Sequence, residues 1–143
     1  EKGLSLAVAE SLTGGRLSAM IVSVPGVSAF YKGSVTAYAT SVKMSLLQVD
    51  AVLIEQHTVV SAPVAEQMAA GMRRLLGVDV ALATTGLAEA DGDRLAQAFV
   101  AYADQDGACS RHVWGYGDRE ASIERTAYAA LHLCLKKVQA RFA

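Results

Sequence analysis

Apolar positions in this chain alternate between two spacings. Leu4 to Ala9 form a run of small and β-branched residues that ends in Glu10-Ser11. Thr13-Gly14-Gly15 follows, and Leu17, Met20, Ile21 and Val24 then recur three and four residues apart. This predicts a buried strand, a glycine turn and the start of a helix. Pro25-Gly26 breaks the pattern, and Ser28 is placed to cap a short helical turn. Ser34 to Tyr38 reads as a second strand, and Thr40 or Ser41 caps a helix carrying Val42, Met44, Leu46 and Leu47. Asp50 caps a short helix running to His57. Ser61 caps the clearest helix, with Pro63 in its first turn, Val64, Met68, Met72 and Leu75 as its stripe, and Gly77 as its stop.

Val78 to Gly86 repeats the opening design, an apolar strand running into hydroxyls and glycine. Leu87 to Arg94 reads as a loop. Ala96–Ala103 and Ala108–Trp114 read as two strands joined at Asp104-Gln105-Asp106-Gly107. Gly117-Asp118-Arg119 launches a long last helix whose inner face holds Ile123, Ala127, Ala130, Leu131, Cys134 and Val138. Strands alternating with helices, plus one hairpin, predict one domain over residues 1–143. Its expected fold is an α/β three-layer α/β/α sandwich with a mixed, mainly parallel sheet. Ligands of such sheets bind beyond the carboxyl ends of the strands. Here those ends carry Glu10-Ser11, Tyr38 and Thr84-Thr85, so one polar cleft is expected to gather them.

Composition narrows the classes. Of the 143 residues, 52% are hydrophobic and 19% charged, which excludes a disordered chain. A formal net charge of −1 without a basic block argues against a nucleic-acid surface. The apolar runs are too short for a membrane span. No signal peptide is visible at Glu1-Lys2-Gly3, and the missing initiator Met points to residues upstream. Cys109 and Cys134 are expected to be buried free thiols of a reducing, cytoplasmic compartment. With His57, His112 and His132 they show no metal-ligand spacing, so neither metal nor cofactor is expected. Exposed apolar helix faces are compatible with a homodimer.

The candidate chemistry lacks histidine. No G-x-S-x-G elbow is present. Ser28, Tyr38 and Lys43 fall in one turn–strand–helix unit, and a desolvated Lys beside a hydroxyl activates serine without imidazole. The same residues also read as a helix cap, a strand-edge tyrosine and a solvated helix lysine.

Ala9-Glu10-Ser11-Leu12-Thr13-Gly14-Gly15 resembles the Ala-Glu-Ser-Cys-Thr-Gly-Gly signature of the CinA C-terminal domain family, which includes stand-alone nicotinamide mononucleotide amidohydrolases. The resemblance continues through Val24 to Tyr31, Val35-Thr36-Ala37-Tyr38 with Lys43, Glu55 to Gly71, Ala83-Thr84-Thr85-Gly86, and Gly117-Asp118-Arg119 with Glu124-Arg125-Thr126. It thus covers nearly the whole chain. It implies hydrolysis of the nicotinamide carboxamide of the mononucleotide, giving the nicotinic acid form and ammonia. Ser28 is then the expected nucleophile, activated by Tyr38 and Lys43, with Ser11 as the alternative. Ser11 and Thr85 would contact the substrate or the oxyanion, and Gly14-Gly15 would suit the phosphate. Glu10, Thr13, Gly86 and Arg119 complete the expected substrate-binding set. Three departures from the family pattern stand out. The Gly- and Pro-rich loop has become Leu87 to Arg94, Tyr-Ser-Asn has become Tyr38-Ala39-Thr40, and an Arg of the last helix falls at Ile123. They leave a second reading, a catalytically degenerate domain acting as a binding or interaction module.

Overall fold

The computed structural model describes residues 3–115 and 117–143. Glu1 and Lys2, on which the reading of the N-terminus partly rests, lie outside them. The elements are β1 (Leu6–Glu10), α1 (Arg16–Val22), a 3-10 turn (Val27–Ala29), β2 (Tyr31–Thr36), α2 (Thr40–Leu47), α3 (Ala51–His57), α4 (Ala62–Leu76), β3 (Val80–Leu87), β4 (Gln97–Asp104), β5 (Gly107–Trp114) and α5 (Arg119–Arg141). One five-stranded sheet has the order β2-β1-β3-β4-β5. β1 pairs in parallel with β2 and β3, and β4 runs antiparallel to both β3 and β5.

Strand alternation sorts the core into two layers. One sheet face is lined by alanines, among them Ala7, Ala9, Ala81, Ala83, Ala101 and Ala103, and packs against Val64, Met68 and Met72 of α4 and Leu47 of α2. The other presents Val8, Val80, Leu82, Val100 and Tyr102 to Leu17 and Ile21 of α1 and to Ile123, Ala127, Ala130 and Leu133 of α5. The expected three-layer α/β/α sandwich is therefore observed. Close packing also holds α2 against α4. A Cβ on Gly71 would overlap the Leu47 carbonyl, so α4 needs glycine there.

Helix caps are in place, those of Asp50 and Ser61 as expected, whereas Ser28 makes no capping bond. Asp50 accepts from the Val52 N–H at 2.8 Å, Ser61 from that of Val64 at 3.4 Å, and Asp118 from that of Ala121 at 2.9 Å. Gly77 ends α4 in the left-handed region, with φ 62°. Two expectations change. The second strand lies earlier than Ser34–Tyr38, because it is an edge strand paired only with β1 and its ladder finishes where Ala37 N–H meets the Glu10 carbonyl. α2 is preceded by Ala39, which makes no side-chain cap, rather than by a capping Thr40 or Ser41. Cys109 and Cys134 are free and partly buried. No helix among the described residues is long and apolar enough to cross a membrane, and no cluster of His, Cys, Asp or Glu there could hold a metal ion.

Candidate functional site

The site is built on the end of β1. Glu10 is fully buried, an expensive position for a carboxylate unless donors surround it. Gly14 and Gly15, at φ 55° and 105°, turn the chain so that α1 begins directly over the strand end. Glu10 then accepts from the Leu17 N–H at 2.8 Å, the Ser18 N–H at 3.0 Å and the Thr13 hydroxyl at 2.6 Å. The Arg16 N–H is bonded to the Thr13 carbonyl. The first turn of α1, expected to receive a phosphate, is filled by the protein's own carboxylate. Glu10, Thr13, Gly14 and Gly15 thus form the frame of the site.

Thr84 joins this frame. Its hydroxyl lies 2.8 Å from that of Thr13 and accepts the Ser11 N–H at 3.2 Å. Because Thr13 spends its one proton on Glu10, Thr84 must donate to Thr13. The hydrogen bonds therefore run one way, from Ser11 N–H through two threonines to the buried carboxylate, and fix the backbone of Ser11. Thr85, the expected ligand, faces the other side of the sheet and donates to the Val59 carbonyl at 2.7 Å. It anchors the segment leading into α4. Gly86 is held against Ala98 of β4, where any Cβ would collide.

On the α2 side, Lys43 is 2% exposed. Its Nζ lies 2.9 Å from each of three acceptors: Ser11 Oγ, the Ala37 carbonyl and the Tyr38 carbonyl. Both carbonyls are available because β2 has ended. No ion pair reaches Lys43 among the described residues. Burial, uncompensated by a carboxylate, lowers its pKa. The arrangement suits either protonation state. A neutral amine keeps two N–H donors for the carbonyls and turns its lone pair to the Ser11 hydroxyl.

Ser28 is not part of this cluster within the chain. It sits exposed on the 3-10 turn before β2, level with the start of β1, where Leu6 N–H meets the Phe30 carbonyl. The length of β2, roughly 20 Å, separates that edge from the edge holding Lys43. Within the chain, the structure brings Ser11 and Lys43 together, with Tyr38 contributing its carbonyl, and leaves Ser28 at the other end of β2. A continuous strand cannot bring residues before and after it to the same end.

The Tyr38 ring is exposed and its hydroxyl accepts from Arg119 Nη2 at 3.4 Å. Arg119 Nη1 pairs with Glu89 at 3.1 Å. The Tyr38 and Glu89 bonds raise the Arg119 pKa. Nearby, Arg94 pairs with Asp91 at 2.6 Å and Arg16 with Glu120 at 2.7 Å. Ile123 is buried in the α1–α5 core, so no cation occupies that position. Reading the residues alone placed Thr84 at a strand end but gave the substrate contact to Thr85. The register does point to Thr84: Ala9 pairs with Ala83, so the next residues, Glu10 and Thr84, share a face.

The CinA C-terminal domain matches residues 1–138. A CinA-like protein of Geobacter metallireducens is 39% identical over 135 residues, 92% of this chain and 33% of the relative. Another, from Citrifermentans bemidjiense, is 42% identical over 137 residues with the same coverage. The chain therefore spans about a third of the length of these curated relatives. Among solved structures, competence damage-inducible protein A of Klebsiella pneumoniae superposes with a TM-score of 0.91 at 27% identity, covering 96% of this chain and 88% of that one. A CinA superfamily protein of Escherichia coli gives 0.87 at 27% identity, covering 93% and 80%. With sequence and fold matched along almost its whole length, this chain belongs to the CinA C-terminal domain family.

Proposed function

We propose that this domain is a serine–lysine amidohydrolase acting on the carboxamide of a nicotinamide nucleotide, with Ser11 as nucleophile and Lys43 as its base. One observation carries the reading: the buried Lys43 Nζ, 2.9 Å from Ser11 Oγ and without a carboxylate partner among the described residues. Desolvation raises the fraction of neutral amine able to take a proton. Ser11 Oγ attacks the carboxamide carbon while its proton passes to Lys43. The tetrahedral intermediate collapses with loss of ammonia, which takes that proton, and leaves an acyl ester on Ser11. Water, deprotonated by the same amine, attacks the ester, and Lys43 returns that proton to Ser11 Oγ as the ester bond breaks and the carboxylic acid product leaves. Throughout, the carbonyls of Ala37 and Tyr38 hold Nζ in place, and the Thr84–Thr13–Glu10 chain holds Ser11.

The nicotinamide nucleotide is the substrate implied by the family resemblance. Ammonia release from nicotinamide mononucleotide by purified protein tests the reading. Release should be abolished by Ser11→Ala and by Lys43→Met but retained by Ser28→Ala. Loss in Ser28→Ala with retention in Ser11→Ala would overturn the assignment. A second reading, a binding module without turnover, is favoured by the occupied rim, where Glu89 takes Arg119. No ammonia release from any nicotinamide substrate would establish it.

A further inference from the structure

We infer that Glu89 sets the charge selectivity of this site, turning it from phosphorylated nicotinamide nucleotides toward the unphosphorylated ribonucleoside. The inference rests on the substrate family proposed above and concerns the far end of that substrate. Arg119 is one side chain from the Ser11–Lys43 pair, because Tyr38 binds Lys43 through its carbonyl and Arg119 through its hydroxyl. It is therefore placed to meet a substituent extending outward from that pair. Its guanidinium is already engaged by Glu89 at 3.1 Å and by Tyr38 at 3.4 Å.

Other groups near this edge that could recognise phosphate are engaged as well. Arg16 is held by Glu120 and Arg94 by Asp91. The first turn of α1 is closed by Glu10, and that of α5 is capped by Asp118. Asp93 and Asp118 are exposed additions to the carboxylates of this edge. A phosphate entering here must displace Glu89 from Arg119 and sit among carboxylates, whereas a neutral ribose meets neither cost.

Binding and turnover test this separately. Titration calorimetry on the Ser11→Ala protein should show nicotinamide riboside binding at least as tightly as nicotinamide mononucleotide. Glu89→Gln and Glu89→Ala, made in that background, should shift the affinity ratio toward the mononucleotide about tenfold by freeing Arg119. Glu89 is exposed, so both substitutions leave the core untouched. In active protein the same shift should fall mainly on KM rather than kcat. Added salt should narrow the wild-type preference by screening the rim. A wild-type preference for the mononucleotide that neither Glu89 variant alters would overturn the inference. Ammonia release decides the amidohydrolase reading, whereas the affinity ratio decides this one.

Discussion

Lys43→Met separates a catalytic lysine from a structural one. The substitution keeps the length of the stem and removes the ammonium of a residue that is 2% exposed and has no anionic partner among the described residues. Two effects oppose. The carbonyls of Ala37 and Tyr38 each lose a bond to a charged donor, about 1.5–3 kcal/mol apiece. Against this, burying an ammonium costs several kcal/mol, which Met does not pay. The net change in stability should lie within about 2 kcal/mol of zero, while loss of the base should lower kcat roughly 10²–10⁴-fold. Urea unfolding followed by circular dichroism, beside ammonia release, measures both. The pH dependence supplies a further sign. Burial holds Lys43 below its ordinary 10.5, so between its lowered value and 10.5 the unfolded chain binds the extra proton. Stability of the wild type relative to Lys43→Met should therefore rise with pH across that window, and stay level below it. A loss of more than about 4 kcal/mol on substitution, or parallel stabilities across the alkaline window, would refute the reasoning and make Lys43 a strut.

Other substitutions probe the frame. Glu10→Ala strands three buried donors and should cost about 3–5 kcal/mol, read as a lowered Tm. Gly71→Ala drives a methyl into the Leu47 carbonyl and should cost about 1–3 kcal/mol in urea unfolding. Since Leu47 lies one turn beyond Lys43 on α2, activity should fall with it. Burial pushes the Cys134 thiol up to about 11, leaving roughly one part in a thousand as thiolate at pH 8. An aromatic disulfide reagent should label it far more slowly in native protein than in urea.

The chain's apolar spacing and punctuation carried the architecture. The alternation of strands with helices, the Asp50, Ser61 and Asp118 caps and the Gln105-Asp106 hairpin are local features, decided by backbone geometry within a few residues. Ser11 and Lys43 were also legible as candidates, Ser11 from its place at a strand end and Lys43 from the turn–strand–helix unit it shares with Ser28 and Tyr38. The pairing between them was not. Whether Ser11 or Ser28 meets Lys43 depends on which end of β2 each occupies. That follows from β2 being an edge strand whose ladder to β1 closes at the Glu10 carbonyl.

Residue types by themselves therefore determined an α/β sandwich of the CinA C-terminal kind with its polar groups at the strand ends. Only the tertiary structure decided what those groups do. It spent Glu10 on the first turn of α1, chose Thr84 over Thr85 by strand parity and committed Arg119 to Glu89. The physical reason is reach. Propensity and capping act over one turn of chain, whereas hydrogen bonds such as Lys43–Ser11 join residues that only the sheet register and the packing of α2 on α4 bring together.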